Sequence, residues 1–94
     1  MIIKLTDEFR RQYKKADKRI KKSFEQRLAI FTKNPMDIEL KNHPLREPYD
    51  GQRSINITSD WRAAYKTEEG KDNVVIYFTV LGTHEQLYKK SGKN

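Results

Sequence analysis

The sequence predicts an α+β fold of one domain, residues 1–94. Apolar residues recur at helical spacing in the first third of the chain, and in the second half they alternate with polar residues or run continuously. We therefore expect an N-terminal strand and a two-helix hairpin, packed on an antiparallel sheet of about four strands and followed by a short C-terminal helix.

Capping residues delimit the helical third. The stretch MIIKLT is the only apolar β-prone run before the charges begin, which predicts a short strand. Thr6 is the predicted N-cap of the first helix because Asp7 and Glu8 fall in its first turn, where carboxylates suit the helix dipole. Asp17 is the predicted N-cap of the second helix, which ends before Pro35. The apolar stripes predicted on the two helices are Phe9, Tyr13 and Ala16, then Ile20, Phe24, Leu28 and Phe31.

The sheet half begins with an alternating segment, RSINITSDWRAAYKT, in which residues 58–60 would connect two strands. The predicted core face carries Ile55, Ile57, Trp61, Ala63 and Tyr65, and the predicted polar face carries Ser54, Asn56, Arg62, Ala64 and Lys66. The run VVIYFTVLG is apolar on both faces, as expected for a central strand. Gly82 then allows the chain to leave the sheet for the tail helix.

Composition excludes several kinds of site. Without cysteine there is neither a disulfide framework nor a cysteine zinc site, and two histidines are too few for a metal cage, so we expect no metal and no cofactor. No apolar run approaches the ~20 residues that span a bilayer, and the first residues are charged too early for a signal peptide. We therefore expect a cytoplasmic protein with no membrane partner.

The net charge of +7 is concentrated in the first third of the chain. Residues 1–34 contain 11 Lys or Arg and 4 Asp or Glu, whereas residues 35–94 contain 9 of each kind. A polyanionic partner is the first electrostatic expectation, with nucleic acid ahead of membrane. Charge alone does not distinguish a solvated helical face from a face that contacts phosphates.

The sheet half contains few groups suited to acid–base chemistry: His43 in KNHPLREP, Asp60 in the hairpin turn, and His84 after the last strand. These suffice for metal-independent RNA cleavage, in which a base removes the 2′-OH proton, the oxygen attacks the phosphorus and an acid protonates the 5′-oxygen. Further candidates are Arg53, Arg62 and Lys66 as phosphate ligands and Trp61 and Tyr88 as base-stacking residues.

Each of these residues also has a purely structural interpretation. His43 lies in a loop, and Asp60 is of the type that caps turns through its side chain. Trp61 falls on the predicted core face, which favours packing over stacking. His84 is equally suited to open the tail helix, against which Tyr88 would pack one turn later.

Taken in order, the segments KNHPLREPYDGQRSINITSDWRAAYK and LGTHEQLY resemble the RelE/ParE superfamily of toxin–antitoxin toxins, and most closely its YafQ-like branch. The resemblance covers almost the whole chain. It rests on HPL, the Gly51 and Arg53 pair, DW followed by YK, and GTH followed by an aromatic residue on the tail. It implies a RelE-like fold and a ribosome-associated mRNA endoribonuclease that a cognate antitoxin neutralises.

In YafQ-like toxins, histidines matching His43 and His84 and an aspartate matching Asp60 belong to the catalytic set, and an aromatic residue matching Tyr88 lies close to the site. Arg53 joins this set as a candidate for stabilising the phosphate. The resemblance leaves open which histidine is the base and which is the acid.

The chain departs from the YafQ-like pattern at three places. Asn56 stands where that pattern has another histidine; it cannot exchange a proton near neutrality but can hydrogen-bond a ribose or a phosphate. REP displaces the glycine usual after HPL. Val80 stands where some relatives carry a basic residue, so transition-state stabilisation would rely more on Arg53 and Arg62.

The resemblance also gives the basic helices a use. A toxin that cuts mRNA in the 30S A site must dock among rRNA phosphates, for which the candidates are Lys14, Lys15, Lys21 and Lys22. We expect the toxin alone to be a monomer and to form a hetero-oligomer with its antitoxin. The alternatives are a ParE-like inhibitor that binds DNA gyrase, and a catalytically inactive member of the fold that binds RNA or an antitoxin.

Overall fold

A five-stranded sheet with helices packed on it makes up the described part of the chain. The computed structural model describes residues 1–91, with side chains as far as Tyr88. In chain order the elements are β1 (Ile2–Leu5), α1 (Asp7–Lys15), α2 (Lys18–Lys33), a 3-10 turn (Ile38–Leu40), β2 (His43–Pro44), β3 (Gln52–Asn56), β4 (Trp61–Glu69), β5 (Val74–Thr83) and α3 (His84–Ser91). The predicted α+β class is confirmed.

The sheet differs in two details from the sheet predicted. Its strand order is β1-β5-β4-β3-β2, and β1 runs parallel to β5, so the sheet is mixed rather than antiparallel. The additional strand is β2, a bridge of two residues in which His43 pairs with Ser54 and Pro44 with Arg53. So short a bridge has no alternating pattern to detect, and its proline, which cannot donate to a ladder, confines it to the edge of the sheet.

The helix boundaries follow the predicted caps. The hydroxyl of Thr6 accepts the N–H of Phe9 at 3.2 Å, and the carboxylate of Asp17 accepts the N–H of Ile20 at 2.9 Å. The second helix ends at Lys33, before the predicted stop. Both caps satisfy amide donors that the helix itself leaves without partners.

The main core lies between the two long helices and one face of the sheet. Phe78 of β5 is fully buried, and its ring centroid lies 5.4–5.8 Å from the centroids of Phe9, Phe24, Phe31 and Tyr65. These tilted and edge-on contacts are the geometry that aromatic rings prefer. The predicted core face is confirmed, with Ile55, Ile57, Ala63 and Tyr65 buried and Trp61 packed against them. We call this side of the sheet the helix face.

A β-bulge in β5 determines which way its last side chains point. Ala64 pairs with Val80, whereas the next residue of β4 pairs with Phe78, which leaves Thr79 as an extra residue. In an unbroken strand, Phe78 and Val80 would share the helix face because side chains alternate. The bulge instead turns Val80 and Gly82 to the opposite face, which we call the open face.

The tail helix α3 covers part of the open face. Leu87 is 1% exposed and packs with Leu45, Ala64 and Val80 in a second, smaller core. The predicted polar face is therefore wrong for Ser54 and Ala64, which are fully buried. The alternation of polar and apolar residues placed Ser54 and Ala64 on the correct face. It could not show that α3 would cover part of that face.

Candidate active site

His43 sits at the edge of the sheet in β2, where it is half-buried. Its Nδ1 lies 2.9 Å from the carbonyl oxygen of Lys41. Because a carbonyl oxygen only accepts hydrogen bonds, Nδ1 carries the hydrogen when the ring is neutral. Nε2 is then the unprotonated nitrogen, and it is able to take up a proton.

His84 is the first residue of α3. Its backbone N–H donates to the carbonyl oxygen of Asp60 at 2.8 Å, which joins the start of the helix to the turn between β3 and β4. Its exposed imidazole lies 4.8 Å from the ring of Tyr88, centroid to centroid. The predicted proximity of His84 and Tyr88 is therefore confirmed.

Asp60 is exposed in the turn between β3 and β4. The cap of this turn comes from Thr58, whose hydroxyl accepts the N–H of Asp60 at 3.3 Å and that of Trp61 at 3.1 Å. The turn therefore has a capping side chain other than the carboxylate of Asp60. Asp60 itself contacts the start of α3 through its backbone carbonyl oxygen.

The open face of the sheet lies between the two histidines. Two rows of paired residues cross it, one of His43, Ser54, Ala64 and Val80, the other of Asn56, Arg62 and Gly82. At roughly 4.8 Å per strand, the backbones of His43 and Val80 are ~14 Å apart. The ring of His84, the first residue of α3, lies beside that of Tyr88, which packs on the second core. The two histidines therefore lie toward opposite ends of this side of the sheet, and Ser54, Ala64 and Val80 between them are buried.

Arg62 supplies a cation at the end of this face. Its Nη1 lies 3.1–3.2 Å from the carbonyl oxygens of Thr58, Ser59 and Trp61. The turn carbonyls thus hold the guanidinium in place beside the turn that carries Asp60. A cation fixed in this way is arranged in advance to stabilise negative charge on a phosphate.

Arg53 lies on the other side of the sheet. It pairs with Tyr65 and so projects to the helix face, where its Nε donates to Oδ1 of Asn42 at 2.7 Å. His43 pairs with Ser54 and projects to the open face. The structure therefore corrects the grouping of Arg53 with the histidines: neighbouring residues of a strand point to opposite faces, and the alternation that buries Ile55 also turns Arg53 away.

Two other predicted RNA contacts lie at the margins. Trp61 is half-buried against the main core and lines a groove of about 490 Å³ between α1 and α3, which neither histidine lines. Lys66 is exposed, with its Nζ 3.8 Å from the carboxylate of Glu68 and 5.5 Å from the ring centre of Tyr77. Both assignments stay predictions, and packing is the role that the geometry gives to Trp61.

The basic face of the helices is separate from the open face. Lys14, Lys15 and Lys22 are exposed, and Lys21 is half-buried with its Nζ 5.7 Å from the ring centre of Tyr13. Since α1 and α2 cover the helix face, these lysines lie across the sheet from the histidines. Within the described residues, no group of three or more His, Asp or Glu side chains is placed to hold a metal ion, and no helix is long and apolar enough to cross a membrane.

Comparison with known proteins places the chain in a family. Residues 1–89 match the model of the family described as "Bacterial toxin of type II toxin-antitoxin system, YafQ". The chain belongs to the YafQ toxin family. The predicted resemblance is confirmed, and the protein is a type II toxin. A search of curated protein sequences finds no match.

Solved structures of related toxins share the fold. YafQ from E. coli strain BL21(DE3) is 24% identical with a TM-score of 0.75, over 92% of this chain and 96% of that one. A YoeB/ParE toxin from Agrobacterium tumefaciens is 18% identical with a TM-score of 0.73, over 89% and 99%. The E. coli DinJ–YafQ complex is 25% identical with a TM-score of 0.63, over 92% and 96%.

Two departures from the YafQ-like pattern now have a structural context. Val80 is 9% exposed and packs against Leu87, so a position that is basic in some relatives is part of the second core in this toxin. Asn56 lies in the row of Arg62 and Gly82, on the open face. The missing histidine is thus replaced by a neutral hydrogen-bonding group within the row that crosses the site.

Sequence reasoning did not identify the roles of three residues near the candidate site. Thr58 caps the hairpin turn, and TSDW is a readable signal for such a cap. Ser54 has a hydroxyl that is buried without a hydrogen-bond partner among the described residues. Asn42 holds Arg53, a contact that depends on the tertiary structure and leaves no local pattern in the sequence.

Proposed function

We propose that this type II toxin is a metal-independent endoribonuclease that cleaves mRNA on the ribosome and so inhibits translation. The observation that carries the proposal is the placement of two histidines at opposite ends of one sheet face, with His43 holding its hydrogen on Nδ1. Membership of the YafQ toxin family supports the same conclusion. In-line cleavage needs a base and an acid on opposite sides of a phosphate, and we infer that the bound mRNA brings both histidines to one phosphate.

His43 is the proposed base and His84 the proposed acid. Nε2 of His43 takes the proton of the ribose 2′-OH, and the oxygen attacks the adjacent phosphorus while the bond to the 5′-oxygen breaks. His84, entering as the imidazolium, donates its proton to that 5′-oxygen. The products are a 2′,3′-cyclic phosphate and a free 5′-OH, with His43 now protonated and His84 neutral.

The residues beside the histidines have supporting roles in this proposal. Arg62 stabilises the charge of the phosphorane with the donors that the turn does not use. Asn56, in the same row, hydrogen-bonds the ribose or the phosphate. Asp60, whose carbonyl oxygen accepts the backbone N–H of His84, is a further acid–base candidate. Tyr88 packs at a tilted angle against the ring of His84 and borders the leaving nucleotide.

Membership of the family supports the proposed antitoxin partner. E. coli YafQ has been solved in complex with DinJ, and we infer that a cognate antitoxin binds this toxin too, in the cytoplasm. The basic face of α1 and α2 docks on rRNA phosphates while the open face receives the mRNA. Replacing Lys14, Lys15 and Lys22 with Glu should weaken ribosome binding and flatten its salt dependence, whereas Lys71→Glu, on the turn between β4 and β5, should leave both unchanged.

The decisive experiment is mapping of mRNA 5′ ends after incubation of the purified toxin with mRNA-programmed ribosomes. Wild type should produce discrete cuts, and His43→Ala and His84→Ala should each lower the cleavage rate by about 10²–10⁴-fold. Lys71→Ala serves as the matched surface control. Cuts at the wild-type rate from either histidine variant would contradict the assigned roles. Intact mRNA with inhibited DNA gyrase would instead favour the ParE-like alternative.

A further inference from the structure

Asn42 is the centre of a hydrogen-bond network beside the proposed site. Its Oδ1 accepts the Nε–H of Arg53 at 2.7 Å. Its Nδ2 donates to the hydroxyl of Tyr65 at 2.7 Å and to the carbonyl oxygen of Pro35 at 2.9 Å. The carboxamide thus uses its acceptor and both of its donors at once.

The partners of Asn42 are themselves held in place. Tyr65 is 4% exposed, and its ring packs edge-on against Phe31 with centroids 5.0 Å apart. Arg53 is fixed by its strand pairing with Tyr65. Pro35 lies just after α2, whose C-cap is Asn34. The Asn42 side chain is therefore anchored to the core, to a central strand and to the end of a helix.

The segment around Asn42 carries the proposed base. Lys41 has a left-handed backbone (φ 49°, ψ 46°), a conformation that a non-glycine residue adopts at some cost. The carbonyl of Lys41 fixes the Nδ1 hydrogen of His43, and Asn42 lies between these two residues. Asn42 points to the helix face while His43 points to the open face, so anchoring one side chain sets the direction of the other.

We propose that Asn42 is a positioning residue for His43, and that it holds the 41–43 backbone so that the carbonyl of Lys41 keeps the hydrogen of His43 on Nδ1 and Nε2 faces the substrate. The role of His43 as base rests on the proposed ribonuclease function. The carboxamide is specifically suited to this task, because a carboxylate would accept from Arg53 but could not donate to the carbonyl of Pro35. An alanine would make none of the three bonds.

The test compares three variants with wild type. Asn42→Ala removes all three hydrogen bonds. Asn42→Asp keeps the one from Arg53 and can accept one from the Tyr65 hydroxyl, but it loses the one to Pro35. Tyr65→Phe removes one acceptor while keeping the buried ring, so it remains informative if Asn42→Ala does not fold. Asp17→Ala, which removes the N-cap of α2, is the control for destabilisation away from the site, at a typical cost of about 1 kcal/mol.

Two readouts separate positioning from mere stability. The first is the ¹⁵N NMR signature of the His43 ring, which should report the Nδ1–H tautomer in wild type and in Asp17→Ala but a mixture in Asn42→Ala. The second is single-turnover mRNA cleavage on programmed ribosomes. Asn42→Ala should lower the maximal rate by about 10- to 100-fold with an unchanged half-saturating concentration, and Asn42→Asp and Tyr65→Phe should fall between it and wild type.

A wild-type tautomer and rate in Asn42→Ala would overturn the proposal, as would an equal loss of rate in Asp17→Ala. Failure of the ribonuclease function itself is distinguishable, because wild type would then cut no mRNA. The NMR comparison would in that case decide by itself whether Asn42 positions the His43 ring.

Discussion

Replacing Leu87 with alanine should detach α3 from the sheet without unfolding the rest of the toxin. Leu87 of α3 is 1% exposed and is buried against Leu45, Ala64 and Val80. A buried Leu→Ala change costs about 2–5 kcal/mol, and the upper part of this range reflects a closed cavity. Leu87 borders the groove between α1 and α3, so the vacated space joins an open groove and the cost should be close to 2 kcal/mol.

A cost of about 2 kcal/mol corresponds to a roughly 30-fold increase in the population of detached α3, since every 1.4 kcal/mol is a factor of about ten. Amide hydrogen exchange measures this directly: the amides of α3 should exchange roughly 30-fold faster than in wild type, while those of β4 and β5 change much less. Ile38→Ala is the matched control, because Ile38 is 87% exposed and its loss should leave both sets unaffected. Equal acceleration in α3 and in the two strands would refute the view that α3 opens independently.

Two further predictions concern Tyr13 and Asn56. The pKa of Tyr13 is raised because burial disfavours the phenolate and because the hydroxyl donates to the nearby Glu25 carboxylate. The stability that Tyr13 contributes is therefore full below about pH 10 and is lost as the pH rises through the folded-state pKa. Thermal melts from about pH 9 to about pH 11 should show a smaller loss of stability in Tyr13→Phe than in wild type, and parallel curves would contradict this. Asn56→His should raise the cleavage rate by up to about 10-fold near neutrality, because it adds a proton-exchanging group on the open face; a slower enzyme with an intact fold would show that asparagine is the better residue there.

Local signals in the sequence were sufficient to predict most of the fold. The caps at Thr6 and Asp17 are short-range hydrogen bonds between a side chain and an amide three residues on, so they can be read from the chain alone. The faces of β3 and β4 follow from the two-residue period of a strand, and Ile55 and Ala63 are buried as that period requires. Features that depend on partners distant in the sequence were not predictable in this way.

The candidate site shows the same division. The predicted approach of Tyr88 to His84 is a one-turn relation within a helix, and the structure confirms it. The side of the sheet on which Arg53 lies could also have been predicted, because Arg53 and Ile55 are two residues apart in one strand and so share a face. Arg53 was instead grouped with the histidines because of its charge. The burial of Ala64 could not be predicted, because it depends on Leu45 and on Leu87 of α3 packing over the open face.

The bulge at Thr79 allows the single strand β5 to contribute side chains first to the helix face and then to the open face. Up to Phe78, β5 must satisfy the aromatic packing of the helix face, and from Val80 onward it must aim side chains at the open face. The single extra residue shifts the alternation of side chains between these two stretches. Substitutions in each stretch are therefore constrained only by the surface that the stretch faces. We expect that deleting the extra residue, with the tail sequence unchanged, would turn the end of β5 and the start of α3 toward the helix face. A backbone irregularity therefore helps to place the candidate site.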